Sequence, residues 1–83
     1  MPKITEFETD PGLLALQEAV GGWIEVVPNF TFFNGRACQA VCDEEGKLKY
    51  KEVNREATAA WRACSNTNDF LVGDIAIIYG GLK

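Results

Sequence analysis

Hydrophobic residues recur along this chain in two rhythms, and the changes of rhythm mark out its elements. In ITEFE, Ile4, Thr5 and Phe7 are set among acids, which predicts a short strand suited to a sheet edge. Asp10-Pro11 then signals a helix start. An aspartate side chain can accept the free amide hydrogens of a first turn, and proline is tolerated at the first helical position. Leu13, Leu16 and Val20 form one apolar stripe at helical spacing, with Gln17 among them. Gly21 suits the left-handed residue that stops a helix, and Gly22 allows a sharp exit. WIEVV is therefore predicted as a strand packed beside the helix it follows. Ile24 and Val26 are expected in the core, with Trp23, Glu25 and Val27 on the opposite side.

Pro28 removes a strand donor and marks an edge, a bulge or the end of that strand. Asn34-Gly35 is the strongest hairpin signal in the chain, because both residues tolerate positive φ; strands of about four to six residues are expected around it. A second turn, Asp43 to Gly46, leads into KLKYK, expected as a further strand of a meander. Asn54 is placed to cap a helix through REATAAWRAC, whose apolar stripe is Ala57, Ala60, Trp61 and Cys64. After the polar loop SNTND, the segment FLVGDIAIIYGG is the most hydrophobic strand candidate and is expected to be central, with Gly73 at a bulge or a close backbone approach. The order strand, helix, several meander strands, helix, strand predicts one small α+β domain over residues 1–83, with two helices packed on a mainly antiparallel sheet.

Composition narrows the function classes. At 83 residues the core is small, and a net charge of −4 gives no help to a surface that tracks phosphates, so nucleic acid is an unfavoured partner. The acids are too scattered for the regular carboxylate rows of a DNA mimic. Cys38, Cys42 and Cys64 are odd in number and form no Cys-x-x-Cys pair. On one strand Cys38 and Cys42 would stand roughly 13 Å apart, at about 3.3 Å per residue, too far for a disulfide. Three buried reduced thiols, a first segment without the pattern of a signal peptide and no long apolar run predict a cytoplasmic protein that does not engage a membrane.

Four blocks taken in order, ALQEAVGGWIEVV, DEEGKLK, NREATAAW and VGDIAII, give the chain a resemblance. It is similar to a family of small domains of unknown function found in bacteriophages, plasmids and their hosts. The likeness spans Leu14 to Ile78 and implies a mobile-element protein, not an activity. The chain departs from the pattern between Val27 and Cys42, where it is aromatic and carries the Asn-Gly turn. Individual specificity is expected there.

Catalysis has little to work with. The chain has no histidine, which removes Ser-His and Cys-His pairs, imidazole metal ligands and the commonest general base. The cysteines fit no zinc spacing, and Asp43-Glu44-Glu45 matches no calcium loop and is expected as a solvated turn. No enzyme, metal or cofactor is predicted. Glu25 and Asp74 each interrupt an apolar run and recur in the family pattern. Either they serve function, or Glu25 faces solvent or pairs with a cation while Asp74 caps a bulge.

Two binding readings and one purely structural reading remain. In the first, Phe30, Phe32 and Phe33 on an Asn34-Gly35 hairpin are presented to a host protein, as an accessory factor or an anti-defence inhibitor would do. Phe32 and Phe33 point to opposite sides of a strand, so one ring is expected outside unless irregular backbone wraps both inward. In the second, an oligomer sequesters a nucleotide immune signal, using Trp23 as platform, Arg36 and Arg55 for phosphate and Asn54 for the base edge. In the third, IAIIYGG completes a homodimer or higher oligomer by pairing with its symmetry mate, with Gly80-Gly81 leaving that strand uncovered.

Overall fold

A computed structural model of the protein describes residues 1–80. Its elements are β1 (Ile4–Phe7), α1 (Leu13–Val20), β2 (Ile24–Val26), β3 (Phe32–Phe33), β4 (Arg36–Ala37), β5 (Gln39–Asp43), α2 (Arg55–Cys64) and β6 (Ile75–Ile78). Four of the strands form one sheet in the order β1-β6-β5-β2. The β1–β6 pairing is parallel and the other two are antiparallel. The fold is α+β with a mainly antiparallel sheet, as the hydrophobic rhythm predicts. Among the described residues no helix is long and apolar enough to cross a membrane.

Alternation along β6 separates two cores. Ile75 and Ile77 point to one face and pack with Ala57 and Trp61 of α2 and with Val27, Phe30, Phe33 and Leu71. Ala76 and Ile78 point to the other and meet Leu16 and Val20 of α1, with Val41 and half-buried Ile24. The helices therefore cover opposite faces, and β6, inaccessible at all four positions, is the middle of the molecule.

Local signals fix most boundaries. Gly21 ends α1 in the left-handed conformation (φ 79°), and the amides of Gly21 and Gly22 both donate to the Gln17 carbonyl. Gly22 permits a close approach: a Cβ there would lie 2.6 Å from an Asp43 carboxylate oxygen. Asn34 and Gly35 take positive φ at the β3–β4 turn. Asn54 caps α2 by accepting from the Ala57 amide at 3.1 Å.

Several expectations are corrected. Asp10 does not cap α1; it accepts from the Gly12 amide at 2.8 Å, a local turn, and Gly12 at φ 95° takes the cap position. Leu13 is exposed. Val26 is 46% exposed because β2 is the outermost strand and α1 lies mainly over β5 and β6; Val27 enters the opposite core instead. The strands around Asn34-Gly35 have two residues each and form a separate small sheet, since the chain leaves after Ala37 to build β5. KLKYK is not a strand. Residues 44–50 run through consecutive turns, because Lys49 and Lys51 fold back onto Asp43. Phe70 to Val72 lie outside β6, which begins only after Gly73 (φ 72°). Finally, β6 has β1 on one side and β5 on the other, so it has no free edge for a symmetry mate. Gly81, part of the glycine pair expected beside it, lies outside the described residues.

Candidate functional site

The blocks VGG, DEEGK and GD meet at one junction. Asp43, only 5% exposed, holds Lys49 Nζ at 2.8 Å and Lys51 Nζ at 2.7 Å, and accepts the Glu45 amide at 2.9 Å. Burial pushes its carboxyl up, but these three hydrogen bonds outweigh that and hold it at about 2. Lys51 Nζ also donates to the Val20 carbonyl at 2.9 Å, filling a vacant acceptor at the end of α1, and its stem lies where a side chain on Gly73 would stand. The acidic turn is thus not solvated throughout: Asp43 is a buried, answered charge that pins the helix end to the sheet. Both of its oxygens accept, Oδ1 from the Glu45 amide and Oδ2 from the two lysines.

Asn54 and Asp74 make tertiary contacts of the same kind. Asn54 Nδ2 donates to the carbonyls of Gly73 at 2.9 Å and Lys3 at 3.2 Å, and Asp74 Oδ1 accepts the Lys3 amide at 3.0 Å. Together they fasten the start of β1 to the start of β6.

Two clusters hold the remaining predicted residues apart from Arg55. Beyond the β1 edge, Arg36 makes a bidentate pair with Glu8 at 2.7 and 2.8 Å and lies 3.9 Å over the Tyr79 ring. Glu6 accepts from the Tyr79 hydroxyl and from Asn34 Nδ2 at 3.4 Å. Burial, with that bond to Glu6, pushes the Tyr79 hydroxyl up to about 12. Arg36 and Asn34 thus latch the hairpin to the sheet. Phe30 and Phe33 are buried beneath it, their rings 6.4 Å apart, so neither is presented to a partner; Phe32 is the exposed one, beside a hollow lined by Ala60, Ala63 and Cys64.

At the opposite edge a cleft of about 270 Å³ opens beside β2 on the α2 face. Val27, Cys42 and Trp61 are among its deeper residues, Leu48 and Phe70 are exposed apolar walls, and Glu25 and Glu44 are acids on its rim. Lys47 pairs with Asp69 at 2.5 Å and lies 4.5 Å over the Phe70 ring. Trp61 donates to the Pro28 carbonyl at 2.8 Å, which fixes the wall formed by α2. Burial, then the charges of Glu25 and Asp43, push the Cys42 thiol up to about 11, so it is not a thiolate nucleophile. Trp23, immediately before β2, is 66% exposed.

Among the predicted site residues, only Trp23 and Glu25 belong to this edge. Asn54 is a buried cap, Arg36 is committed to Glu8, and Arg55 is exposed on the first turn of α2, so the residues proposed for nucleotide recognition do not converge. Leu48 and Phe70 were not anticipated. The alternation of KLKYK and the apolar run FLVGDIAII assign these two residues to strands, and neither pattern marks them as the walls of a cleft.

The chain belongs to the DUF3846 family, a domain of unknown function, whose family model matches residues 1–81. No curated protein and no solved structure matches it.

Proposed function

We propose that this DUF3846 member is a non-enzymatic module that binds another protein through the cleft and rim at its β2 edge. The observation that carries the reading is the placing of exposed Leu48 and Phe70 as walls of a cleft at a sheet edge. Solvated apolar walls around a concave surface gain free energy when a partner covers them, at about 25 cal/mol per Å² of apolar area. In the mobile-element setting that the sequence blocks resemble, the partner is a host protein and the outcome of binding is inhibition of a defence system. Its three free cysteines suit the reducing cytoplasm in which such an encounter would take place.

Affinity capture from bacterial lysate tests this, with wild type, Leu48→Glu and Phe32→Glu run side by side and circular dichroism confirming the fold of each. The expected result is one protein retained by wild type and Phe32→Glu and lost by Leu48→Glu. Loss with Phe32→Glu alone would move the site to the hairpin. An oligomer carrying a small non-covalent mass in native mass spectrometry would overturn the reading in favour of a nucleotide trap.

A further inference from the structure

Resting on that reading and deepening it, we infer that β2 takes an extended segment of the partner as a fifth strand of the sheet, with a lysine or arginine of that segment set against Glu25. The inner side of β2 is accounted for by its pairing with β5. The Val27 amide donates to the Ala40 carbonyl at 2.9 Å, the Trp23 carbonyl accepts from the Glu44 amide at 2.8 Å, and Glu25 stands opposite Cys42. In an antiparallel ladder these inward bonds fall on alternate residues, here 23, 25 and 27. Ile24 and Val26 consequently direct their N–H and C=O groups away from the sheet, where no described strand pairs with them. Such a row is a template for strand addition.

Charge decides the occupant. A second copy pairing about a two-fold axis and using all the outward groups would set Ile24 against Val26 of its mate. That places one Glu25 opposite the other in a non-hydrogen-bonded pair, about 4.5 Å between Cα atoms. Like charges directly opposite destabilise a sheet. A cation there has the reverse effect, and its side chain would project toward the cleft, as Glu25 does. Glu44 lies on the same rim, and neither acid has a salt bridge among the described residues. Leu48 and Phe70 can cover the aliphatic stem of a lysine or arginine. The flanking residues of the segment would project toward the α1 face, where Val26 is exposed and Ile24 half-buried, which calls for apolar β-branched side chains. The recognised pattern is apolar, basic, apolar.

The test titrates acetyl-Thr-Val-Lys-Val-Thr-amide into nitrogen-15-labelled full-length protein, beside the same peptide with glutamate in place of lysine. Expected are amide shifts at Ile24, Glu25 and Val26, slowed exchange at Ile24 and Val26, and about tenfold weaker binding of the glutamate peptide. Glu25→Lys should invert that preference. Val26→Pro removes an outward donor without touching the β5 ladder, and should weaken the lysine peptide about tenfold or more at unchanged thermal stability. No binding at millimolar peptide, equal binding of both peptides, or full binding by Val26→Pro would overturn strand addition. A wild-type dimer in sedimentation that Val26→Pro dissociates would also overturn it, by identifying a second copy as occupant. Capture of the lysate partner by Val26→Pro but not by Leu48→Glu would sink the inference and leave the protein-binding reading standing.

Discussion

At the β1 edge Glu6 and Glu8 meet Asn34, Tyr79 and Arg36, whereas at the β2 edge Glu25 and Glu44 lie on a cleft rim without a salt bridge among the described residues. The two edges differ in what the chain spends on them. On one side it builds a hairpin whose polar side chains grip the sheet and whose buried rings Phe30 and Phe33 extend the core. On the other it leaves the three residues of β2, an open cleft and exposed Trp23. The lesson is that two of the three rings in the aromatic insert, which stands out most in the sequence, are buried in the core, while the plainer strand borders an open cleft.

The largest test of this contrast is Phe33→Ala. If the insert is scaffold, removing its buried ring should cost about 3–5 kcal/mol in urea unfolding. Phe32→Ala should stay within about 0.5 kcal/mol. Equal, small losses from both would return the insert to the role of a binding surface.

An intermediate effect is expected from pH. Asp43 is held at about 2 in the folded protein, against 3.8 for the free side chain. A folded value below the unfolded one means that its stabilisation is complete above about pH 4 and is lost as pH falls toward 2. The expected contribution is about 2 kcal/mol. Acid unfolding of Asp43→Asn should therefore lack this part of the pH dependence, and a pH profile unchanged by the substitution would place the acid sensitivity elsewhere. Because Asp43 pairs with Ile24 in the ladder, the same acidification should loosen β2 before β6 in hydrogen exchange.

The smallest effect on global stability belongs to Arg36→Ala. Its partner Glu8 is exposed, and solvent-exposed ion pairs add little. The melting temperature should barely move while amide exchange in Phe32–Ala37 accelerates. A large drop in melting temperature would mean that the latch, and not the buried rings, holds the hairpin.

Much of this architecture is legible in the sequence where a signal and its consequence lie within a few residues. Gly21 stops α1, Asn54 caps α2 and Asn34-Gly35 turns the hairpin because cap and turn geometry are local. Trp23 and Glu25 could be singled out as candidates because one offers an aromatic platform and the other is an acid that interrupts an apolar run. Leu48 and Phe70 could not, since their position on the cleft depends on Lys49 and Lys51 folding back to Asp43 and on the loop that precedes β6. The KLKYK segment shows the same limit: its alternation suits a strand, but a buried carboxylate six residues before Lys49 gains more from two lysines than the segment would gain by pairing.

The sequence by itself determined the two helices, the coarse order strand, helix, strands, helix, strand, the burial of IAII and the absence of imidazole chemistry, because each follows from periodicity or composition. Tertiary structure alone decided that the helices take opposite faces, that Ile4 pairs with Ile75, that Phe30 and Phe33 turn inward and that β2 is left as an open edge. These features rest on contacts between residues distant in the chain, whose free energy depends on which surfaces meet, and no local pattern encodes that choice.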